Sequence, residues 1–135
     1  MTIAVHVIEE KIKLEDLVAK ATTSECGAVL SFLGVVRDHA DGKSVESIDY
    51  SCYREMAQKE LLKVVEKSVA ACGVAHAFVL HRIGRLAVGE ASLGLVVASP
   101  HRRESFECGL MIIDELKKTV PIWKKEFGVD GSYWV

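Results

Sequence analysis

The sequence predicts an α+β fold in one domain, residues 1–135, with a mixed, mostly antiparallel sheet and three main helices in the order β-α-β-β-α-β-β-α. Three observations carry this. Short runs of β-branched and apolar residues are interleaved with segments in which apolar residues recur at helical spacing. Turn and helix-end residues stand between the two kinds of segment, at Asp41-Gly42, Gly73, Ser99-Pro100 and Pro121. A length of 135 residues suits a single core.

Residues 2–8, TIAVHVI, read as a strand because β-branched side chains fit a pleated surface. Leu14, Leu17 and Val18 repeat at helical spacing and give a short helix. Residues 27–36, GAVLSFLGVV, form an almost unbroken apolar run, the pattern of a strand buried on both faces. The run ends abruptly in Arg37, Asp38 and His39, Asp41-Gly42 supplies a turn, and residues 45–53 return as a strand. Leu61, Leu62, Val65, Val69 and Cys72 make the apolar stripe of a second helix, which Gly73 is placed to end in the left-handed conformation. Residues 74–83 and 91–98 read as strands, with Gly84 and Gly89 bracketing a short connection. Ser99 as N-cap and Pro100 at the first helical position open a third helix, which Pro121 stops. Phe106, Leu110 and Ile113 mark its buried stripe, and residues 127–135 read as irregular. There is no internal repeat, low-complexity tract or linker. The first six elements match a ferredoxin-like topology, so a ferredoxin-like or hammerhead-like core is expected. Such a core hosts many chemistries and decides none of them.

Composition excludes several classes. Half of the residues are hydrophobic and 27% are charged, which is ordinary for a globular chain. A net charge of -2 and an aromatic content of 7% argue against a nucleic-acid binder, which needs a basic groove with interleaved aromatics. Cys26, Cys52, Cys72 and Cys108 are too widely spaced for a zinc or iron–sulfur motif and read as reduced structural thiols. Residues 1–10 lack the basic start and long apolar run of a signal peptide, and no stretch is long enough to span a membrane. A cytoplasmic protein is expected, without metal or cofactor.

Chemistry concentrates at four places. His101, Arg102 and Arg103 fall at the start of the third helix, where positive charge opposes the helix dipole. Free backbone N–H groups already favour an anion at such an end, so these residues make either a phosphate site or a solvated basic turn. Lys117 follows Leu110 by seven residues and Ile113 by four. At about 100° per residue it projects within roughly 40° of their stripe. A lysine there either snorkels to water or sits in a pocket as a base or nucleophile. Beyond Pro121 the chain can turn and bring Lys124 beside Lys117, with Trp123 as a further wall; equally, Trp123 packs in the core and the lysines are a solvated end. Arg37 ends a strand, where sites are commonly built, and either grips a phosphate or pairs with a nearby acid such as Asp38.

Taken in order, GAVLSFLGVVRDH (27–39), HRIG (81–84), SPHRRESFECG (99–109) and ELKKTVPIWKKE (115–126) resemble the large, catalytic subunit of molybdopterin synthase, over about residues 5–134. The segment Tyr53-Arg54-Glu55-Met56 fits the family as well, while Glu9 to Thr23 matches only loosely. The resemblance implies a sulfurtransferase that converts cyclic pyranopterin monophosphate (precursor Z) into molybdopterin. It implies sulfur delivered as a thiocarboxylate on the C-terminal tail of a small ubiquitin-like subunit. It implies a homodimer of large subunits within a heterotetramer, and no metal for this step. Lys117 and Lys124 match the family's two catalytic lysines in L-K-x-x-x-P-x-W-K. Arg37 matches the arginine of V-R-D-H, and His101 and Arg102 the S-x-H-R pair, all in the substrate's anion pocket, part of which comes across the dimer. Arg103 joins them less directly, because its position varies. Glu126 matches an acidic position that orients a lysine. The chain ends at Val135, where several relatives continue with a basic tail, so any pocket contact from that tail is expected to be missing or replaced here. The alternative reading is a non-catalytic module that binds a phosphorylated, pterin-like metabolite.

Overall fold

A computed structural model describes Met1–Val135. Thirteen elements appear in the order β1 (Thr2–Ile8), α1 (Leu14–Ala21), β2 (Ala28–Val35), β3 (His39–Ala40), β4 (Lys43–Ser44), β5 (Ser47–Ser51), α2 (Arg54–Cys72), β6 (His76–Arg82), β7 (Gly84–Ala87), β8 (Ala91–Ser99), α3 (Arg102–Thr119), β9 (Trp123–Gly128) and β10 (Gly131–Trp134). The class is α+β with three helices and mostly antiparallel pairing, as the sequence predicts. The strands divide into a sheet of order β1-β6-β8-β2, a second of order β10-β9-β5-β7, and the small hairpin β3-β4. Only β1 and β6 pair in parallel.

The first sheet lies between helices. Alternation along its strands sends Val5, Val7, Ala77, Val79, Leu93, Leu95 and Val97 to one side, where they pack with Leu61, Val65 and Val69 of α2 and Cys108, Ile112 and Leu116 of α3. Phe78, Val96 and Ala98 point the other way, onto Leu17 and Ala21 of α1. Leu61, Leu95 and Ile112 are fully buried, each contributing about 1.5–3 kcal/mol over its exposed state. Gly73 ends α2 at φ 72, donating its N–H to Val69 O at 2.8 Å. Asp41 and Gly42, at φ 50 and 76, make the tight turn between β3 and β4.

The second sheet has its own cluster of Val36, Val45, Ile48, Tyr50 and Leu86. β6 passes almost directly into β7, so one run of chain leaves the first sheet and enters the second; Gly84, at φ 103, makes the corner.

Five expectations need correction. β2 is not buried on both faces: it is the edge of its sheet, with Phe32, Leu33 and Val35 exposed at 37, 42 and 50%. Residues 84–87, read as a connection, pair with β5 as β7. Residues 123–134 form the hairpin β9-β10, because Val129 and Asp130 turn the chain back and Gly131 takes φ 116. α3 begins later than Ser99-Pro100: His101 is its N-cap, and the Ser99 hydroxyl turns inward to donate to His101 O at 2.6 Å and to meet Ser105 Oγ at 2.5 Å. Finally, Phe106 and Leu110 are exposed, at 61 and 62%, and Ser105, Cys108, Gly109, Ile112 and Leu116 are buried instead. The helix approaches the sheet so closely that a Cβ on Gly109 would come within 3.0 Å of the Leu30 side chain. Small residues line the close contact around Gly109, Ile112 and Leu116 fill the space further along, and Phe106 and Leu110 turn outward.

Candidate active site

A cavity of about 450 Å³ opens where the two sheets and the end of α3 meet. Arg37 enters it from just beyond β2, Lys117 from the last turn of α3, and Lys124 and Glu126 from β9. Two residues apart on a strand, Lys124 and Glu126 share one face. Their backbone partners are Tyr50 and Ile48 of β5, which also line the cavity. Pro121 lies between α3 and β9, so the chain reverses there and carries Lys124 back toward Lys117.

Charge in the cavity is unbalanced. Arg37, Lys117 and Lys124 bring three positive charges against the single carboxylate of Glu126, and none of the four takes part in an ion pair. Arg37 is not held by Asp38, whose carboxylate instead bonds His39 Nδ1 at 2.7 Å and is held by that bond below the usual carboxylate range. Two buried groups complete the wall. The His81 imidazole touches the Tyr50 ring edge-on at 5.6 Å, and burial, with the nearby Lys124 charge adding to it, pushes its pKa down to about 4. Burial likewise raises the Tyr50 phenol, with the Ser92 hydroxyl opposing and the Glu126 carboxylate adding to the rise. Sequence reasoning assigned no role to His81 or Tyr50. For His81 the signal was a polar side chain directly after the apolar run of residues 77–80; Tyr50 stands in the mixed strand Ser47–Ser51 and gave none.

The remaining candidates lie elsewhere. His101, Arg102 and Arg103 are exposed at the opposite end of α3, and Arg103 sits 3.8 Å from Glu107. Sixteen residues separate His101 from Lys117, about 24 Å along a helix. Within one chain the two groups cannot hold the same small molecule. Trp123 is half-exposed and packs edge-on against Tyr53 at 5.7 Å, outside the core. On the far side of the fold, Glu25, Cys26 and His76 place ligand-type atoms within 4.8 Å of one another. His76 Nε2 is already engaged there by Thr23 Oγ1 at 3.2 Å and Glu25 at 3.5 Å.

The family model for the MoaE protein matches residues 7–119. The chain belongs to the MoaE family. It is 40% identical over 126 residues, 93% of this chain and 85% of the relative, to the molybdopterin synthase catalytic subunit of Pyrococcus abyssi. Its fold matches the crystal structure of molybdopterin synthase from Staphylococcus aureus with a TM-score of 0.91 and 32% identity, over 96% of this chain and 95% of that one. The fold is also shared with a chain in the complex of subunits 1 and 2 of the molybdopterin-converting factor from Helicobacter pylori, at a TM-score of 0.78 and 20% identity, over 97% and 89% of the two chains. The MoaE family relatives are enzymes, named as catalytic subunits.

Proposed function

We propose that this chain converts cyclic pyranopterin monophosphate into molybdopterin, taking sulfur from the C-terminal thiocarboxylate of a small ubiquitin-like subunit. The observation that carries this is the convergence of Arg37, Lys117 and Lys124, all without ion-pair partners, in one cavity of a MoaE-family chain. Both reactants are anions, and cations with no partner in the chain are available to them. Arg37 binds substrate phosphate. Lys117 acts as acid or base while the cyclic phosphate opens and water leaves. Lys124 binds the tail carboxylate or stabilises charge that develops as sulfur attacks, and Glu126 orients it. Two sulfur additions need two tails in succession.

The substrate pocket is shared between copies. His101 and Arg102, with Arg103 beside them, reach the cavity of a second chain in a homodimer, and each dimer binds two small subunits as a heterotetramer. The exposed apolar side chains Phe32, Leu33, Phe106 and Leu110 on β2 and α3 suit such an interface. No helix is long and apolar enough to cross a membrane; the reaction is assigned to the cytoplasm.

The test is reconstitution. Purified chain, pterin precursor and thiocarboxylated small subunit are mixed, and dithiolene product per site is measured. Product supports the synthase. No product from reactants that a known large subunit turns over would leave a module that only binds the pterin phosphate.

A further inference from the structure

Glu25, Cys26 and His76 meet away from the reaction cavity, which none of them lines. The first sheet brings them together across β8: Ala28, at the start of β2, pairs with Ser99, and His76, at the start of β6, pairs with Ala98. His76 is 9% exposed, and its ring stacks on Phe78 at 6.3 Å between centroids. Cys26 is half-buried and packs against the cluster that contains Phe78 and Ala98. The core thus fixes two ligand groups, while Glu25, next to Cys26 in the chain, is exposed and can adjust.

One ligand atom from each residue lies within 4.8 Å of the other two. Ligands on a tetrahedral zinc, with bonds of about 2.0–2.3 Å, stand about 3.3–3.7 Å apart. Glu25 Oε1 is 3.5 Å from His76 Nε2, long for a hydrogen bond between these groups and already at the zinc separation. The competing contact is the Thr23 hydroxyl, 3.2 Å from Nε2, whose hydrogen is free to rotate away. Nδ1 is sealed in the protein without a partner, so Nε2, on the side of the carboxylate, is the ring's one working nitrogen. Nδ1 is unsatisfied whether it holds a lone pair or a hydrogen. Moving the hydrogen there from Nε2 therefore breaks no bond that Nδ1 makes.

We propose that Glu25, Cys26 and His76 form a zinc site, with a carboxylate oxygen, the thiolate and Nε2 as ligands and water in the fourth position. Sulfur, imidazole and carboxylate together suit zinc, whereas magnesium and calcium take oxygen ligands. Binding releases the Cys26 thiol proton to solvent and shifts the imidazole hydrogen to Nδ1. The ion ties residues 25 and 26 to the start of β6. One residue further on, the Gly27 backbone lies so close to Pro100 that a Cβ would come within 2.8 Å of its oxygen. The metal therefore braces the chain that leads into α3, and its binding needs neither reactant of the sulfur transfer.

Cobalt(II) is the spectroscopic probe, added to the whole, reduced chain after treatment with a chelator. The expected result is one cobalt per chain, with visible bands of tetrahedral intensity and a thiolate-to-cobalt charge-transfer band, both bleached by one equivalent of zinc. Cys26→Ala should abolish the charge-transfer band. Glu25→Gln and His76→Phe should each weaken zinc binding by more than about 10-fold, since even residues that only support metal ligands cost that much. Glu25 is exposed, so its variant keeps the fold and decides the matter if His76→Phe does not fold. Zinc should also raise the melting temperature of the parent and not that of Cys26→Ala. An octahedral cobalt spectrum, a charge-transfer band that survives Cys26→Ala, or equal zinc affinity in parent and folded variants would mean an adventitious ion only, and would overturn the site.

Discussion

At its start α3 carries His101, Arg102 and Arg103 on an open surface; at its end it carries Lys117 beside a cavity walled by β9. The charge has the same sign at both ends, and what differs is the neighbours that each cation meets. On the open surface water screens each cation, and contacts such as Arg103 with Glu107 are worth about 0–1 kcal/mol. At the cavity Lys117 is exposed as well, but Arg37 and Lys124 converge with it beside the buried wall of Tyr50 and His81. Convergence, more than charge alone, separates a candidate reaction centre from a basic turn.

The largest effect should come from the end that borders the cavity. Lys117→Ala is expected to lower turnover by more than about 100-fold, because removing a proton-transfer group costs 10²–10⁴-fold. The side chain is exposed, so the melting temperature should stay close to that of the parent; near-normal turnover would remove the assigned role. Lys124→Ala should impair turnover less, and unchanged transfer kinetics would dismiss it. The open end is predicted to act only across a dimer. Mixing Lys117→Ala with Arg102→Ala chains, each nearly inactive alone, should restore about a quarter of parental activity, since half of randomly formed dimers are mixed and each of those carries one intact site. No recovery after subunit exchange would mean that Arg102 serves its own chain or none.

Smaller effects separate the faces of the helix. Ile112→Ala removes a fully buried side chain and should cost about 2–5 kcal/mol of unfolding free energy. Acid should act on the cavity wall. His81 binds a proton near pH 4 when folded and near 6.5 when unfolded, so the unfolded chain takes up more protons between those values. Its contribution is complete above about pH 6.5 and is lost as the pH falls toward 4, on the order of 3 kcal/mol in all. The parent should lose stability relative to His81→Phe as the pH falls across that window; a pH-independent difference between their denaturant midpoints would contradict the neutral ring. Phe106→Ala, on the exposed face, should change the stability of the separate chain by no more than about 0.5 kcal/mol.

What the sequence revealed follows the same division. β1, α2 with its Gly73 cap and the Asp41-Gly42 turn were legible because each depends on local geometry that few residues satisfy. The buried face of α3 was not, because hydrophobicity singles out Phe106 and Leu110 while close approach to the sheet selects Ser105, Cys108 and Gly109. β7 and the β9-β10 hairpin were missed because charged residues interrupt their alternation, and pairing with β5 and with each other forms them. Lys124 drew notice as a charge beyond a proline. That it shares a cavity with Lys117 depends on the turn after α3 and on the register of β9 against β5, which is tertiary information.

That register also sets the order in which a growing chain can acquire its parts. No buried member of the two clusters that flank the first sheet lies beyond Val120, and Ile122 alone packs against them from beyond it, whereas Lys124 and Glu126 lie on a strand that emerges after them. The framework can therefore assemble during synthesis before the reactive cavity exists. A chain interrupted after Pro121 should unfold cooperatively and still lack both β9 residues. Loss of cooperative unfolding in that fragment would show that the hairpin belongs to the framework after all.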